Sequence, residues 1–279
     1  MSALLWMLVC LMFLAGLYLF LIAPARNRPD ASALMDRLYA HRGLHGGGVP
    51  ENSLAAFSRA AEAGYGIELD VQLTRDGRLV VHHDASLKRV CGTDLQICDI
   101  TYEELCRHPL PDGSCVPLFS DVLALVGGRV PLIVEVKHHG GAARNAAAAL
   151  EQLRAYDGPY CVESFHPLAM RYFRLNAPGV VRGQLAMGGA RQAGETGIVA
   201  HFALRHLLVN CLSRPHFVAY SYPKDRSPAM WLMRRCFHPL LAAWTLRSQE
   251  ALDGALARDY RLLIFEGFTP RRDGARPSC

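Results

Sequence analysis

The chain has 279 residues, enough for one large domain or two small ones, with 51% hydrophobic and 20% charged residues. That composition excludes disordered, collagenous and coiled-coil proteins and provides for a full apolar core. The balance of 30 basic against 25 acidic side chains gives +5, too mild to indicate nucleic acid as a partner. Nine cysteines without a CxxC pair indicate neither a disulfide framework nor a common zinc site.

Residues 1–25 carry no charged side chain, and the stretch from Leu4 to Ile22 is almost wholly apolar. A hydrocarbon core about 30 Å thick needs roughly 20 helical residues, which this stretch supplies. Arg26 and Arg28 follow at once and no basic residue precedes. The positive-inside tendency therefore predicts a single-pass membrane anchor with the C-terminal domain on the cytoplasmic side. A cleaved signal peptide ending at Ala23-Pro24-Ala25 is the rival reading. It is disfavoured by the missing basic n-region and by an apolar run longer than the usual about 7–15 residues. Cys91, Cys98, Cys106 and Cys115 show no obvious pairing and suit a reducing compartment.

Residues 26–37 read as a polar linker, and from Leu38 strand-like and helical runs alternate. Strand candidates are Leu38–His41, Ile67–Leu73, Leu79–His82, Pro131–Val136, Tyr160–Glu163, Val180–Leu185, Phe217–Tyr220, Leu241–Leu246 and Leu262–Phe265. Helical stretches between them include Leu54–Ala63, Ala142–Ala155 and Gln249–Arg258, with Ser53 as N-cap and Gly64 as stop of the first. Such alternation over about 240 residues predicts an α/β protein, a (βα)8 TIM barrel behind the N-terminal transmembrane helix. Nine strand candidates for eight places require one to lie outside the barrel. An open doubly wound sheet is the structural alternative, without a G-x-G-x-x-G or P-loop to support it.

Polar residues interrupt the apolar strands at particular places. Glu68 and Asp70 stand two apart, so both face one side of their strand while Ile67, Leu69 and Val71 face the other. Glu135 and Lys137 repeat the pattern. His41-Arg42-Gly43, His82-His83-Asp84 and Glu163-Ser164-Phe165 end three more strands. Each motif alone has a bland explanation: an edge charge pair, a loop histidine, an ordinary turn, a private ion pair. Together they fall at the C-terminal ends of strands, where barrel enzymes keep their chemistry. Three buried carboxylates with one nearby lysine are costly unless a cation joins them, and an all-oxygen donor set favours Mg²⁺ or Ca²⁺. Two imidazoles supply a general acid and a general base near neutral pH, and Arg42 and Lys137 suit phosphate oxygens. No serine or cysteine is placed as nucleophile, so attack falls to water or to a neighbouring hydroxyl of the substrate.

These residues resemble the glycerophosphodiester phosphodiesterases. The resemblance runs through His41-Arg42-Gly43, Pro50-Glu51-Asn52-Ser53, Ala56-Phe57, Glu68-Leu69-Asp70-Val71, Thr74-Arg75-Asp76-Gly77, Val80-Val81-His82-His83-Asp84, Glu135-Val136-Lys137, Ser164-Phe165 and Trp244-Thr245. It implies a barrel of residues 38–270, a divalent cation, and hydrolysis of glycerophosphodiesters to glycerol 3-phosphate and an alcohol through a cyclic phosphate. It implies His41 and His83 as the acid/base pair, with His82 structural. Arg42 and Lys137 become phosphate ligands, and Glu68, Asp70 and Glu135 metal ligands. Glu51 and Asn52 support them, and Trp244 lines the pocket. The serine of Pro-Glu-Asn-Ser stands where threonine is usual. Ile264-Phe265-Glu266-Gly267-Phe268 replaces a Thr-Asp-x-Pro ending, which leaves the last pocket wall open. Residues 85–120 take the place of the family's insertion and are expected to cap the barrel mouth.

Ile198–Leu212 and Met230–Trp244 are rich in Leu, Phe, Met and Trp. They read as barrel helices with core stripes, or as a face resting on the bilayer. A basic tail at 271–279, with Arg271, Arg272 and Arg276, could touch anionic headgroups. Alternative functions are a lysophospholipase D taking membrane lysophospholipids, or a membrane-tethered binding protein without turnover. The last is disfavoured because His41, Glu68, Asp70, His83 and Glu135 are all present.

Overall fold

The computed structural model describes residues 3–189 and 197–271, so the predicted basic tail beyond Arg271 lies outside the described residues. In chain order the elements are α1 (Ala3–Ile22), β1 (Arg37–Ala40), α2 (Leu54–Glu62), β2 (Gly66–Leu73) and β3 (Leu79–Val81). Then come α3 (Lys88–Cys91), α4 (Tyr102–Leu105), α5 (Phe119–Val126), β4 (Leu132–Val136), α6 (Ala142–Leu153), β5 (Tyr160–Ser164) and α7 (Pro167–Asn176). The chain ends with β6 (Arg182–Ala186), α8 (Ile198–Arg205), α9 (Asn210–Ser213), β7 (Phe217–Ser221), α10 (Pro228–Leu232), β8 (Leu240–Leu246), α11 (Gln249–Leu256) and β9 (Leu262–Phe265).

Eight of the nine strands are parallel and close on themselves, because β1 pairs with β2 through Tyr39 and Gly66 and with β9 through Ala40 and Phe265. Closure settles the barrel against the open sheet. The ninth strand is β3, which runs antiparallel to β2 with Val71 opposite Val81. Its cause is local. Thr74 donates its N–H to Arg78 O (2.9 Å) and its hydroxyl to Asp76 Oδ1 (2.6 Å), and Gly77 takes φ +80°. The chain therefore turns back at once and cannot cross over to a parallel position.

Period-2 alternation sorts the strands as the sequence predicts. Ile67, Leu69, Val71, Val134 and Val136 pack outward beneath the helices, in one apolar layer with Phe57, Phe119 and Phe173. Tyr39, Ile133, Cys161, Leu185, Phe217, Ala219, Ala242, Leu262 and Ile264 fill the barrel interior. Residues 85–120 fold around a small core of their own, with Leu87, Ile97, Leu105, Leu110 and Val116 buried against Val80. The eight cysteines described are free thiols.

Helix α1 stands outside the barrel, long and apolar enough to cross a membrane, with most of its side chains exposed. Its C-terminal part is built into the domain, where Tyr18 packs against the core. Ile22 is fully buried, Asn210 Nδ2 donates to Ile22 O (2.8 Å), and Arg214 Nη1 donates to Phe20 O and Ala23 O (both 2.9 Å). The Arg214 guanidinium also stacks 4.5 Å over the Phe20 ring, so the carbonyls left free at the helix end are satisfied by side chains from α9 and the turn after it.

Candidate active site

The site lies at the C-terminal rim of the barrel, and its first wall is the turn after β1. Arg42 and Gly43 both have positive φ, 55° and 80°. At Gly43 a Cβ would fall 2.8 Å from Ala56 Cβ, so only glycine lets this turn lie on α2. The turn brings the Arg42 N–H to Glu68 Oε2 (2.9 Å). Asn52 also takes a left-handed φ of 54°, which asparagine tolerates better than most residues. From there it donates its N–H to Arg42 O (2.9 Å) and its side-chain amide to Asp70 Oδ2 (2.8 Å). Ser53 then caps α2 by accepting the Ala56 N–H (3.1 Å). The Pro50-Glu51-Asn52-Ser53 motif is thus a brace between a helix start and a buried acid.

Strand register assembles the acids. Asp70 on β2 is opposite Glu135 on β4, and Glu135 is opposite Glu163 on β5. Glu68 faces the same interior one step lower. Oxygens of Glu68, Asp70 and Glu135 lie within 4.8 Å of one another, and all three residues are buried. Lys137 Nζ stands 2.7 Å from both Asp70 Oδ1 and Glu135 Oε1, behind the acids and off the cavity wall. Arg42 keeps its place on the wall, with Nη1 2.8 Å from Glu51 Oε1 and Nε 3.6 Å from Asp70 Oδ2.

Burial pushes the Glu68 carboxyl well above its usual range, with Asp70 and Glu135 adding repulsion. Burial acts on Asp70 too, but Lys137, His83 and Arg42 outweigh it and hold that carboxyl well below. Glu163 is raised well above, by burial and then by Glu135. Its Oε2 has no hydrogen-bond partner, and the residue lines the cavity. Four buried carboxylates against Arg42 and Lys137 leave a formal excess of two negative charges. The donor set and its charge both fit a divalent oxygen-seeking cation.

The two predicted histidines are oriented alike. His41 Nδ1 lies 3.1 Å from Glu266 Oε1, and His83 Nδ1 lies 2.6 Å from Asp84 Oδ1. The hydrogen bond from His41 and the nearby His45 ring hold the Glu266 carboxyl far below its usual range. Burial raises Asp84, but its bonds to His83 and Arg89 prevail and lower it. Both acids are therefore ionised and can only accept, so each ring donates its Nδ1–H to its acid and turns Nε2 away as the nitrogen that takes up or gives a proton. Burial also lowers the His41 pKa, against the opposing pull of Glu266. His82 is buried beside the site, with Nδ1 on Asp84 O (3.0 Å).

These groups face a cavity of about 380 Å³. His41, Arg42, Glu68, His83, Glu135 and Glu163 form its polar floor, while Phe165, Leu185, Met187, Trp244 and Ile264 form an apolar wall. Trp244 sits edge-on to Phe165 (5.5 Å) with its buried Nε1 unpartnered. No residue of 85–120 lines this cavity. That segment reaches the site through Arg89, which bonds Glu51 Oε1 (2.6 Å) and Asp84 Oδ2 (2.6 Å). Burial works against the Glu51 carboxyl, yet Arg89 and Arg42 lower it to about 2.

Two acids named in the sequence were given no site role there. Glu163 had a signal, since it breaks an apolar strand as Glu135 does. Glu266 had none, because it lies just past β9 where alternation no longer fixes direction.

Residues 41–264 match the family model described as "Glycerophosphoryl diester phosphodiesterase family". A glycerophosphodiester phosphodiesterase of Bacillus altitudinis is 34% identical over 167 residues, covering 55% of this chain and 67% of that protein. One from Caldanaerobacter subterraneus is 33% identical over 163 residues, covering 54% and 66%. The solved structure of an Oleispira antarctica phosphodiesterase, in complex with the product sn-glycerol-3-phosphate, aligns with a TM-score of 0.71. That alignment covers 89% of this chain and 99% of the other at 20% identity, a likeness of fold.

Proposed function

Since the chain belongs to the glycerophosphoryl diester phosphodiesterase family, we propose that it hydrolyses glycerophosphodiesters to glycerol 3-phosphate and an alcohol, with a divalent cation and His41 and His83 as the acid/base pair. The observation that carries this reading is convergence: two carboxylate-oriented imidazoles, Arg42, Glu68 and Glu135 line one cavity on the barrel's C-terminal rim, with Asp70 clustered beside the two acids.

Glu68, Asp70 and Glu135 would hold the cation, Mg²⁺ or Ca²⁺, which when bound draws charge from the phosphate oxygens and offsets the repulsion among its ligands. Arg42 on the wall takes a phosphate oxygen. Lys137 balances Asp70 and Glu135 from behind, so its contact with phosphate would require it to leave them. One imidazole Nε2 accepts the proton of the glycerol 2-hydroxyl as that oxygen attacks phosphorus. The other enters as imidazolium and gives its Nε2 proton to the departing alkoxide as the P–O bond breaks, which leaves a cyclic phosphate. In the second half the roles reverse and water opens the ring. Holding hydroxyl and phosphorus in one molecule supplies the proximity that a separate nucleophile would lack.

α1 serves in this reading as a membrane anchor that is retained. The hydrogen bonds from Asn210 and Arg214 to its last carbonyls support retention, because cleavage after Ala25 would strip the domain of a buried residue, Ile22. A lysophospholipid is the second substrate reading, favoured by the apolar cavity wall of Phe165, Leu185, Met187 and Ile264. Hydrolysis of glycerophosphocholine and of lysophosphatidylcholine, each with and without chelator, tests both. Chelator-sensitive turnover of the first supports the main reading. Turnover of the second alone favours the lipid. Turnover of neither refutes hydrolysis.

A further inference from the structure

Charge is divided across the active-site cavity. The strands follow one another round the ring as β1, β2, β4, β5, β6, β7, β8 and β9, so β7 and β8 stand opposite β2 and β4. Every acid on the cavity wall, Glu68, Glu135 and Glu163, comes from β2, β4 or β5. The wall built by β6, β7 and β8 and the loops after them bears no acid among the described residues. Its charged members are Lys224 and Arg247.

These two cations are not equivalent. Arg247 Nη2 is 2.5 Å from Glu266 Oε2, so its charge is already paired. Among the described residues no acid pairs with Lys224. Asp225, its neighbour in the chain, is buried and turned to Arg234 (2.7 Å), Arg258 (2.9 Å) and Tyr260 (2.9 Å). The loop that carries the lysine is nonetheless fixed. Lys224 N donates to Ser221 O (3.0 Å), and Gly188 N donates to Ser221 Oγ (2.9 Å), which ties the loop after β7 to the loop after β6. A Cβ at Gly188 would fall 2.0 Å from Lys224 O, and one at Gly189 would fall 3.0 Å from Lys224 Cδ. Two glycines thus let the loops touch and let the lysine stem lie across Gly189. The residue is exposed and stands on the cavity wall.

We propose, resting on the hydrolytic reading above, that Lys224 receives a second anionic group carried by the alcohol of the substrate, a phosphate or a carboxylate. The chain then prefers glycerophosphodiesters of anionic alcohols over those of neutral or cationic ones. The diester phosphorus belongs with the acid trio and Arg42, on the β1, β2 and β4 side of the ring. A substituent that crosses the cavity from there arrives at the β7 and β8 wall. Glycerol has no charge to offer, so the group that meets Lys224 belongs to the alcohol. Pairing with Lys224 breaks no existing ion pair, whereas pairing with Lys137 would. A cationic alcohol finds less on this wall. Tyr222 already has Arg258 5.1 Å over its ring, and a cation at Trp244 would share its wall with Lys224 and Arg247.

The test compares two diesters of sn-glycerol 3-phosphate on the full chain in detergent, one with propan-1-ol and one with 3-hydroxypropyl phosphate. Free Mg²⁺ and Ca²⁺ are held equal. Release of glycerol 3-phosphate gives kcat/KM for each, and the ratio of the two cancels any loss of active enzyme. In the wild type the ratio should favour the phosphorylated alcohol by about 5- to 10-fold, the size of one partly exposed ion pair. It should fall to near unity in Lys224→Gln and below unity in Lys224→Glu. It should also shrink in about 1 M salt, where charges are screened within about 3 Å. A wild-type ratio near unity, with both diesters turned over, would overturn the proposal and leave hydrolysis standing. A preference that survives Lys224→Gln would come from the bound cation or from Arg247 and would also overturn it. Turnover of neither diester would remove the hydrolytic reading and the proposal together.

Discussion

His41 Nδ1 is 3.1 Å from Glu266 Oε1, a pairing between the turn after the first barrel strand and the residue after the last. It exists because β1 and β9 are neighbours, with His41 N donating to Phe265 O (2.9 Å). Glu266 touches the ring and not the cavity, so it is a positioning residue. Glu266→Gln should lower kcat by about 10- to 100-fold with little change in KM. Glu266→Asp should retain more activity than Glu266→Gln. Steady-state kinetics on glycerophosphocholine decide it, and a Gln variant as fast as wild type would remove the role.

Chelation should abolish turnover, and Mg²⁺ or Ca²⁺ should restore it. Because the acid trio repels itself when no cation is bound, the ion should also stabilise the fold. At about 100 times its Kd a ligand adds about 2.7 kcal/mol, or roughly 5–10 °C in Tm for a domain of this size. Differential scanning calorimetry of the wild type and Asp70→Asn checks it: the metal-induced shift should shrink in the variant.

Gly43→Ala should cost about 2–4 kcal/mol, since the new Cβ meets Ala56 and the residue keeps a left-handed φ. Urea denaturation gives the number. A loss below about 0.5 kcal/mol would mean that the turn relaxes freely.

His216 gives a pH dependence remote from the acid trio. Burial, helped by Arg182, lowers its folded pKa to about 4, against about 6.5 when unfolded. Between those values the unfolded chain binds more protons, so this contribution to stability is complete above about pH 6.5 and is lost as pH falls toward about 4. Melting curves of His216→Asn should be flatter over that window than those of the wild type.

Arg214→Ala should free the carbonyls of Phe20 and Ala23. Limited proteolysis in detergent should then cut faster between Ala23 and Asp36, while turnover of dissolved glycerophosphocholine stays unchanged. Unaltered cutting would show that Asn210 and the burial of Ile22 suffice.

Much of this architecture was legible in the order of residues. Nine apolar runs became nine strands because each is short and interrupted by turn formers or polar residues. The surplus strand could not be named from periodicity, which does not distinguish a hairpin return from a crossover. Glu68, Asp70 and Glu135 were legible because burial on a period-2 strand admits no casual carboxylate. Lys137 was legible as a site residue but not in its posture: only the register reveals that Asp70 and Glu135 flank it. Glu266 and Arg89 were not legible at all. Their partners, His41 and Glu51, are 225 and 38 positions away in sequence, and no local pattern encodes such distances.

The closing of the barrel by β1 against β9 also bears on how the protein comes into being. A chain emerging from the ribosome holds most of its reactive groups long before it holds the last strand that brings Glu266 to His41. Until residue 266 has been made and the ring has shut, the nascent polypeptide has every ingredient of a hydrolase without a supported imidazole. Premature termination or proteolytic trimming ahead of that point would leave it unable to turn over substrate.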